Sequence, residues 1–147
     1  MRFFTSLIVL GSLAGAYAQS PDQITADILI ARSPVIALIE VSGAGEPRMN
    51  DASAELSIHK QRAQARCIKT VRGEPPKIFI IENERDSVLT DGPHLAFLRP
   101  LSDKRYILST PVSLRRVKGD KAFWFHSEYK AIREIVAEIE LSGIKNK

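Results

Sequence analysis

Short apolar runs, separated by polar and turn-forming stretches, recur along most of the chain. Alternating apolar and polar side chains are typical of half-buried strands, whereas apolar spacings of three and four residues are typical of helices. The first run, Ile24–Val41, is rich in Ile, Val and Leu. Pro34 within this run lacks the backbone donor that a central strand requires. We therefore predict one long strand, bent or bulged near Ser33 and Pro34, rather than one helix.

The second region, Ala54–Val71, combines helix-favouring residue types with the side-chain order of a strand. Small apolar residues alternate with polar residues over Arg62–Val71, which predicts a strand with one face inward. The alternative is an amphipathic helix that is capped at Asp51. Whether residues 54–61 form a strand or a helix stays open.

Further strands and one helix are predicted downstream. The strands are a compact one at Lys77–Glu82 after the turn Arg72–Pro76, a hairpin of His94–Leu98 and Arg105–Leu108, and a hairpin of Val112–Val117 and Ala122–His126 with a tight turn at Gly119 and Asp120. Ser127 can cap a C-terminal helix over residues 127–142, where four aliphatic residues follow the spacing i, i+3, i+4 and i+7. The predicted fold class is mainly β: a small, partly open barrel of OB type with a C-terminal amphipathic helix.

The first eighteen residues have the pattern of a signal peptide. Arg2 is their only charge, an apolar run follows it, and Ala16 and Ala18 form the A-x-A arrangement that signal peptidase recognises. The run is interrupted and shorter than the twenty or so apolar residues of a membrane anchor. We expect cleavage at about Ala18 and a single-domain mature chain, residues 19–147, that is secreted or periplasmic and has no transmembrane helix.

Composition limits the chemistry of this chain. The formal net charge is only +4, well short of the dense Lys and Arg footprint of a nucleic-acid binder. Cys67 is the single cysteine, so no disulfide can form within the chain. A lone cysteine in an exported protein can be a reactive thiol or form an intermolecular bridge, but more often it is a small apolar core residue.

Catalytic and metal-binding patterns are sparse. The three histidines are scattered and have no paired neighbour with ligand spacing, and no cofactor motif is present. Glu82, Glu84 and Asp86 alternate at a strand end and could place carboxylates on one face, as glycoside hydrolysis requires. Charged residues that lead from a strand into a loop are usually just solvated.

Candidate binding residues lie in one strand, in one aromatic stretch and in two long loops. Barrels of this type bind oligonucleotides or oligosaccharides across their second and third strands, although aromatic stacking partners are missing from the basic strand here. A solvated sheet face is the simpler alternative. The candidate ligand-binding residues are Lys60, Arg62, Arg66 and Trp124. Loops on a rigid barrel often carry contacts, and the candidates in Ser42–Ser53 and Asn83–Pro93 are Glu46, Arg48, Asn50, Glu84 and Asp86.

The segments "ADILIARSPV", "ARCIKTVRGEPPKIFII" and "DGPHLAFLRPLSDKRYILS" resemble the exported netrin-module proteins, which are relatives of the tissue inhibitors of metalloproteinases. The resemblance covers Ala26 to about Ser109. It implies an OB-type barrel and a binding rather than a catalytic role. Those inhibitors chelate a protease zinc through an N-terminal cysteine, whereas this mature chain would begin at Gln19 and lacks their disulfides. Only the fold is therefore expected to carry over.

The sequence as a whole predicts an exported, non-catalytic binding or interaction module. The expected partner is a protein or a saccharide of the envelope or extracellular space, with no cofactor and no metal; the charge argues against nucleic acid. Two alternatives stay open. One is an envelope enzyme that acts on saccharide or peptide through loop carboxylates, and the other is a binder of anionic polymers.

Overall fold

The computed structural model describes residues 24–45, 61–83 and 88–145. In chain order the elements are α1 (Ala26–Ala31), β1 (Val35–Ser42), β2 (Arg62–Arg72), β3 (Ile78–Glu82), β4 (Gly92–Ser102), β5 (Arg105–Leu108), β6 (Leu114–Lys118), β7 (Lys121–Phe123), a 3-10 turn (Phe125–Ser127), β8 (Tyr129–Ala131) and α2 (Ile132–Lys145). No helix within these ranges combines the length and the apolar character needed to cross a bilayer.

Five strands close into a barrel in the order β1-β2-β3-β5-β4, because β4 also pairs with β1. The β3–β5 pair is parallel and the other pairs of the barrel are antiparallel. On its other edge β4 pairs with β5 through its C-terminal half and with β6 near its beginning. Strands β6, β7 and β8 then form an antiparallel arm. The predicted mainly β barrel with a C-terminal helix is confirmed, and its five strands close it rather than leave it partly open.

Most of the predicted strands are present. The strand over Arg62–Val71 corresponds to β2, the compact strand corresponds to β3, and the two hairpins correspond to β4–β5 and β6–β7. The second hairpin turns at Gly119 and Asp120, as predicted. Residues 46–60 and 84–87 lie outside the described ranges; they include most of the first predicted loop, four residues of the second, and all but the last residue of the segment 54–61, for which strand or helix was left open.

The prediction of one long strand over Ile24–Val41 was wrong for its first half, which forms helix α1. The Thr25 side chain caps this helix by accepting a hydrogen bond from the Ile28 amide, and the Ser33 hydroxyl donates to the Leu29 carbonyl at 2.6 Å. Pro34 therefore separates a helix from a strand and does not bend one strand. An apolar run buried against a second layer has no visible period, so its spacing alone cannot distinguish helix from strand.

The C-terminal helix begins later than predicted. Residues 129–131 pair with β7 as strand β8, and α2 starts at Ile132, whose amide donates to the Asp120 carbonyl at 2.9 Å. The predicted aliphatic seam is confirmed, since Ile135 and Ile139 are buried. Strand β7 ends at Phe123, so the predicted strand does not continue to His126.

Two apolar clusters hold these elements together. The inner cluster fills the barrel, where Phe79 and Tyr106 pack edge to face with ring centroids 4.9 Å apart. The outer cluster lies between the barrel and the helices. It contains Leu29, Ile30, Ile36, Leu95, Phe97, Ala122, Trp124, Ile135 and Ile139. Strands β1 and β4 supply side chains to both clusters, and the end of β2 adds Val71 to the outer one.

Arg72 and Gly73 connect the barrel to both helices. The Arg72 guanidinium donates to the carbonyl oxygens of Ile30 at 2.8 Å, Ser33 at 3.4 Å and Ile139 at 3.4 Å. Gly73 has a positive φ of 76°, and a Cβ atom there would lie 2.8 Å from the Pro34 carbonyl oxygen. The end of β2 therefore approaches the start of β1 more closely than any side chain at position 73 would allow.

We expect Arg72→Met to lower the free energy of unfolding by about 2 kcal/mol, because it removes the charged donor from the carbonyl oxygens of Ile30, Ser33 and Ile139. Urea denaturation followed by circular dichroism measures this loss. Arg66→Met on the same strand is the matched control, because Arg66 is exposed; we expect it to stay within about 0.5 kcal/mol of the wild type. Equal losses in the two variants would contradict a specific role of Arg72.

Candidate functional site on an exposed barrel face

The outer side of β2, β3 and β5 carries a mixture of arginine and isoleucine side chains that face solvent. We name this surface the basic–aliphatic face and define it by Arg62, Gln64, Arg66, Ile68, Ile78, Ile80 and Arg105. Ile68 is 57% exposed and Ile78 is 49% exposed. Large aliphatic side chains at such exposure, grouped on one surface, are typical of a contact site rather than of a solvated sheet face.

Strand register fixes the neighbours on this face. Arg66 lies opposite Ile78, and Gln64 lies opposite Ile80. On the other side of β3, Arg105 pairs with Ile80 in the parallel ladder. Basic and aliphatic side chains therefore alternate across three adjacent strands. Because β2 and β3 are each paired on both edges, the side chains of this face, and not a free backbone edge, are what a partner would contact.

A buried carboxylate organises one end of the face. Glu82 lies opposite Arg62 in the register, and its side chain is fully buried. Arg62 Nε lies 3.0 Å from Glu82 Oε1, and Arg105 Nη2 donates to the same oxygen. The arginine side chains themselves remain 61% and 39% exposed. Glu82 thus holds two guanidinium groups side by side at the surface while staying out of reach of solvent.

A shallow groove of about 410 Å³ lies over this end of the face. Arg62 and Arg105 line it together with Ile80, Gln64 and the end of β1 at Ser42–Gly43. Its walls thus combine guanidinium groups, an aliphatic side chain and backbone. Such a mixture suits a ligand that carries both an anionic group and an apolar group.

The residues predicted as a site are placed in different parts of the chain. Arg62 and Arg66 share the outer side of β2, as the alternation predicts. Trp124 lies far from them in the outer cluster and is 5% exposed. The others, Lys60, Glu46, Arg48, Asn50, Glu84 and Asp86, lie outside the described residues. Of the three acidic residues proposed for glycoside hydrolysis, the structure therefore describes only Glu82, which is buried between the two arginines.

Arg105, Ile78 and Ile80 were not singled out from the sequence. The alternation within Lys77–Glu82 does contain a signal, because Phe79 and Ile81 point inward and the isoleucines between them point outward. Arg105 reaches the face only through the parallel β3–β5 pairing, which links residues distant in sequence. A pattern read along one strand cannot reveal such a neighbour. Cys67 lies on the inner side of β2 as predicted, partly buried against the inner cluster.

A second concave region surrounds the aromatic stretch after β7. A groove of about 630 Å³ separates the beginning of α1 from Phe125 and His126, and the latter has a positive φ of 64°. Behind it, Arg115 is buried; its Nε donates to the Phe123 carbonyl at 3.0 Å and its guanidinium carbon lies 4.7 Å from the Phe125 ring centroid. Burial lowers the pKa of the Arg115 guanidinium from its ordinary value. This cation supports the aromatic turn by packing on its rings.

Polar contacts close the end of the barrel from which both long loops leave. The Gln61 amide donates to Asn83 Oδ1 at 2.7 Å, and the Leu89 amide donates to Gln61 Oε1 at 3.0 Å. Nearby, buried His94 donates from Nδ1 to the Gly92 carbonyl at 3.0 Å and accepts from the Thr90 hydroxyl at Nε2, 3.1 Å away. Gln61 therefore ties the segment before β2 to the segment before β4.

No protein-family model matches the chain, and no curated protein is similar to it in sequence. The functional argument therefore depends on the side chains of this chain. Within the described ranges, no three His, Cys, Asp or Glu residues lie close enough together to hold a metal ion. The basic–aliphatic face is the surface on which exposed apolar area, positive charge and a groove coincide.

We expect stability to fall on acidification because of His94. Burial lowers the pKa of its imidazole below the ordinary value of 6.5 and Arg116 adds to this, while the Gly92 carbonyl and Glu40 oppose it. Below about pH 6.5 the unfolded chain binds a proton that the native state does not, so the free energy of unfolding is highest above that pH and decreases below it. Urea midpoints measured between about pH 5 and pH 8 should be less pH-dependent in His94→Gln. An unchanged dependence in that variant would contradict the role of His94.

Proposed function

We propose that this chain is an exported, non-catalytic binding module that contacts a protein partner through its basic–aliphatic face. The observation that carries the proposal is the exposure of Ile68 and Ile78 beside Arg62 and Arg66 on one continuous sheet surface. Interfaces of proteins combine a central apolar part with surrounding polar and arginine side chains. Several large aliphatic residues exposed side by side are not expected on a sheet face that contacts only solvent.

A binding role is supported over catalysis by the state of Glu82. A catalytic carboxylate must reach its substrate, and Glu82 is instead enclosed by Arg62 and Arg105. The two arginines contact Glu82 and still leave the groove above them open. In this proposal Glu82 is a structural counter-ion that positions binding residues.

The sequence supports the proposed export, because residues 1–18 carry the charge, the apolar run and the A-x-A site of a cleaved signal. The resemblance to the netrin-module proteins points the same way, since that group consists of exported barrels that bind proteins. The proposal does not include inhibition of a zinc protease, because the mature chain would begin at Gln19 and not at a cysteine.

Export makes a direct prediction about the mature N-terminus. The chain isolated from the periplasm or the medium of the producing cells should begin at Gln19 or at its cyclised form, which intact-mass measurement and peptide mapping detect. Substitution of Ala18 by Arg should retain the uncleaved precursor, because signal peptidase requires small residues at its site. A chain that keeps Met1 and stays in the cytoplasm would disprove export.

The proposed contact surface can be tested by site-specific photo-crosslinking in the producing cells. A benzophenone side chain introduced at Ile78 should form a discrete protein adduct, because Ile78 lies at the centre of the basic–aliphatic face. The matched control carries the same group at Leu141, which is 61% exposed on α2 and is not part of the basic–aliphatic face.

An adduct at position 78 that is absent at position 141 supports the proposal, and mass spectrometry then identifies the partner. Adducts of equal yield at both positions would show non-specific contact. The absence of any adduct at position 78, with the protein exported and folded, would overturn the proposed interface.

A further inference from the structure

We propose that the groove between Arg62 and Arg105 binds a carboxylate side chain of an acidic, leucine- or valine-containing segment of the partner protein. The inference rests on the proposed function, because it names the chemistry of the partner that occupies the same face. It adds a specific binding site, which is the pair of guanidinium groups. It also adds a specific ligand group, which is a carboxylate.

The arginine pair retains donors for a second carboxylate. A guanidinium group has five N–H donors, and Glu82 contacts Arg62 through Nε and Arg105 through one Nη2 donor. Both side chains are partly exposed and line the groove, so their other donors are available on its side. Charge-assisted contacts of arginine with carboxylate are stronger than neutral hydrogen bonds and are often bidentate.

Glu82 also prepares this site before any ligand arrives. A free arginine side chain loses rotamer entropy when it is fixed by a ligand, which weakens binding. Here one buried oxygen already positions both guanidinium groups. With one carboxylate between two guanidinium groups, the cluster keeps a net positive charge and attracts a further anion.

The side chains around the pair indicate that the ligand also has an apolar part. Ile80 lines the groove beside Arg105, and Ile78 lies two residues before Ile80 on the same strand. Successive outward residues of a strand alternate with inward ones, so an extended segment lying over β3 would place a carboxylate near Arg105 and aliphatic groups near Ile78 and Ile80. This geometry fits a segment in which an acidic and an aliphatic residue stand two positions apart and therefore point to the same side.

Charge argues against a second copy of the chain as the occupant. Arg62, Arg66 and Arg105 would meet their own counterparts in a symmetric contact, and like charges placed together at an interface are costly. A purely anionic polymer would use the arginines but leave the exposed isoleucines without a partner. The described parts of β2 and β3 also present no outward aromatic ring on which bases could stack.

Fluorescence anisotropy with short labelled peptides of defined composition tests the proposal. The Glu-Leu probe repeats Glu-Ser-Leu-Ser, so that both side chains can face the groove; the Glu-Ser control has Ser at the Leu positions, and the Lys-Leu control has Lys at the Glu positions. We expect binding of the Glu-Leu peptide to the mature protein, weaker binding of the Glu-Ser peptide and none of the Lys-Leu peptide. Added salt should weaken the interaction, because it depends on exposed charges.

Three variants assign the binding to the groove. We expect Arg62→Gln, Arg105→Gln and Ile80→Ser each to weaken binding of the Glu-Leu peptide about tenfold, which corresponds to about 1.4 kcal/mol. Arg133→Gln on α2 is the matched control; it removes one exposed positive charge away from the face, and binding should be unchanged. Circular dichroism and urea midpoints verify that each variant is folded.

Equal affinity for the Glu-Ser and Glu-Leu peptides, or tighter binding of heparin, would overturn the proposal in favour of an anionic polymer. Equal losses in Arg133→Gln and in the groove variants would show a general charge effect and would also overturn it. No peptide binding, with a discrete photo-adduct at Ile78, would refute the acidic segment while the interaction module stands. Absence of both signals would refute the two proposals together.

Discussion

The fold depends on strand β1, which is paired along both edges and buried on both faces. Its pairing with β4 closes the barrel, whose interior is narrow. Ala37 lies opposite Ala96 in this pair, and both are fully buried. Ala63 and Ala65 are also small residues of the interior, which leaves room for the Phe79 ring. A small barrel is filled by such a combination of small and large side chains.

Burial of β1 on both sides divides the barrel surface into two unlike halves. Its outward residue Ile36 and the β4 residue Phe97 belong to the outer cluster, so the helices must lie over these two strands. The first half of β2 and the residues Ile78 and Ile80 of β3 are instead exposed, and there arginine and isoleucine side chains meet. The position of the candidate site therefore follows from where the helices pack, and Arg72 holds both helices in that position.

Strands with a clear alternation or a marked turn could be predicted from the sequence, and short elements without a visible period could not. Alternation located β2, and the Gly119–Asp120 turn located the hairpin of β6 and β7. Helix α1 was taken for a strand because its apolar residues have no visible period, and β8 was taken for part of a helix because three residues carry no period at all. For the site, alternation placed Arg62 and Arg66 together, whereas Arg105 joins them only through the parallel pairing of β3 with β5.

Closure of the barrel through β1 and β4 also bears on the speed of folding. Val35 pairs with Leu98, so the closing contact links residues far apart in the chain, and such contacts make folding slow because a long loop must be ordered first. During synthesis β1 is made well before β4, and until β4 arrives one edge of β1 has no partner with which to form a ladder. The barrel of a newly made chain therefore cannot close until β4 has been synthesised.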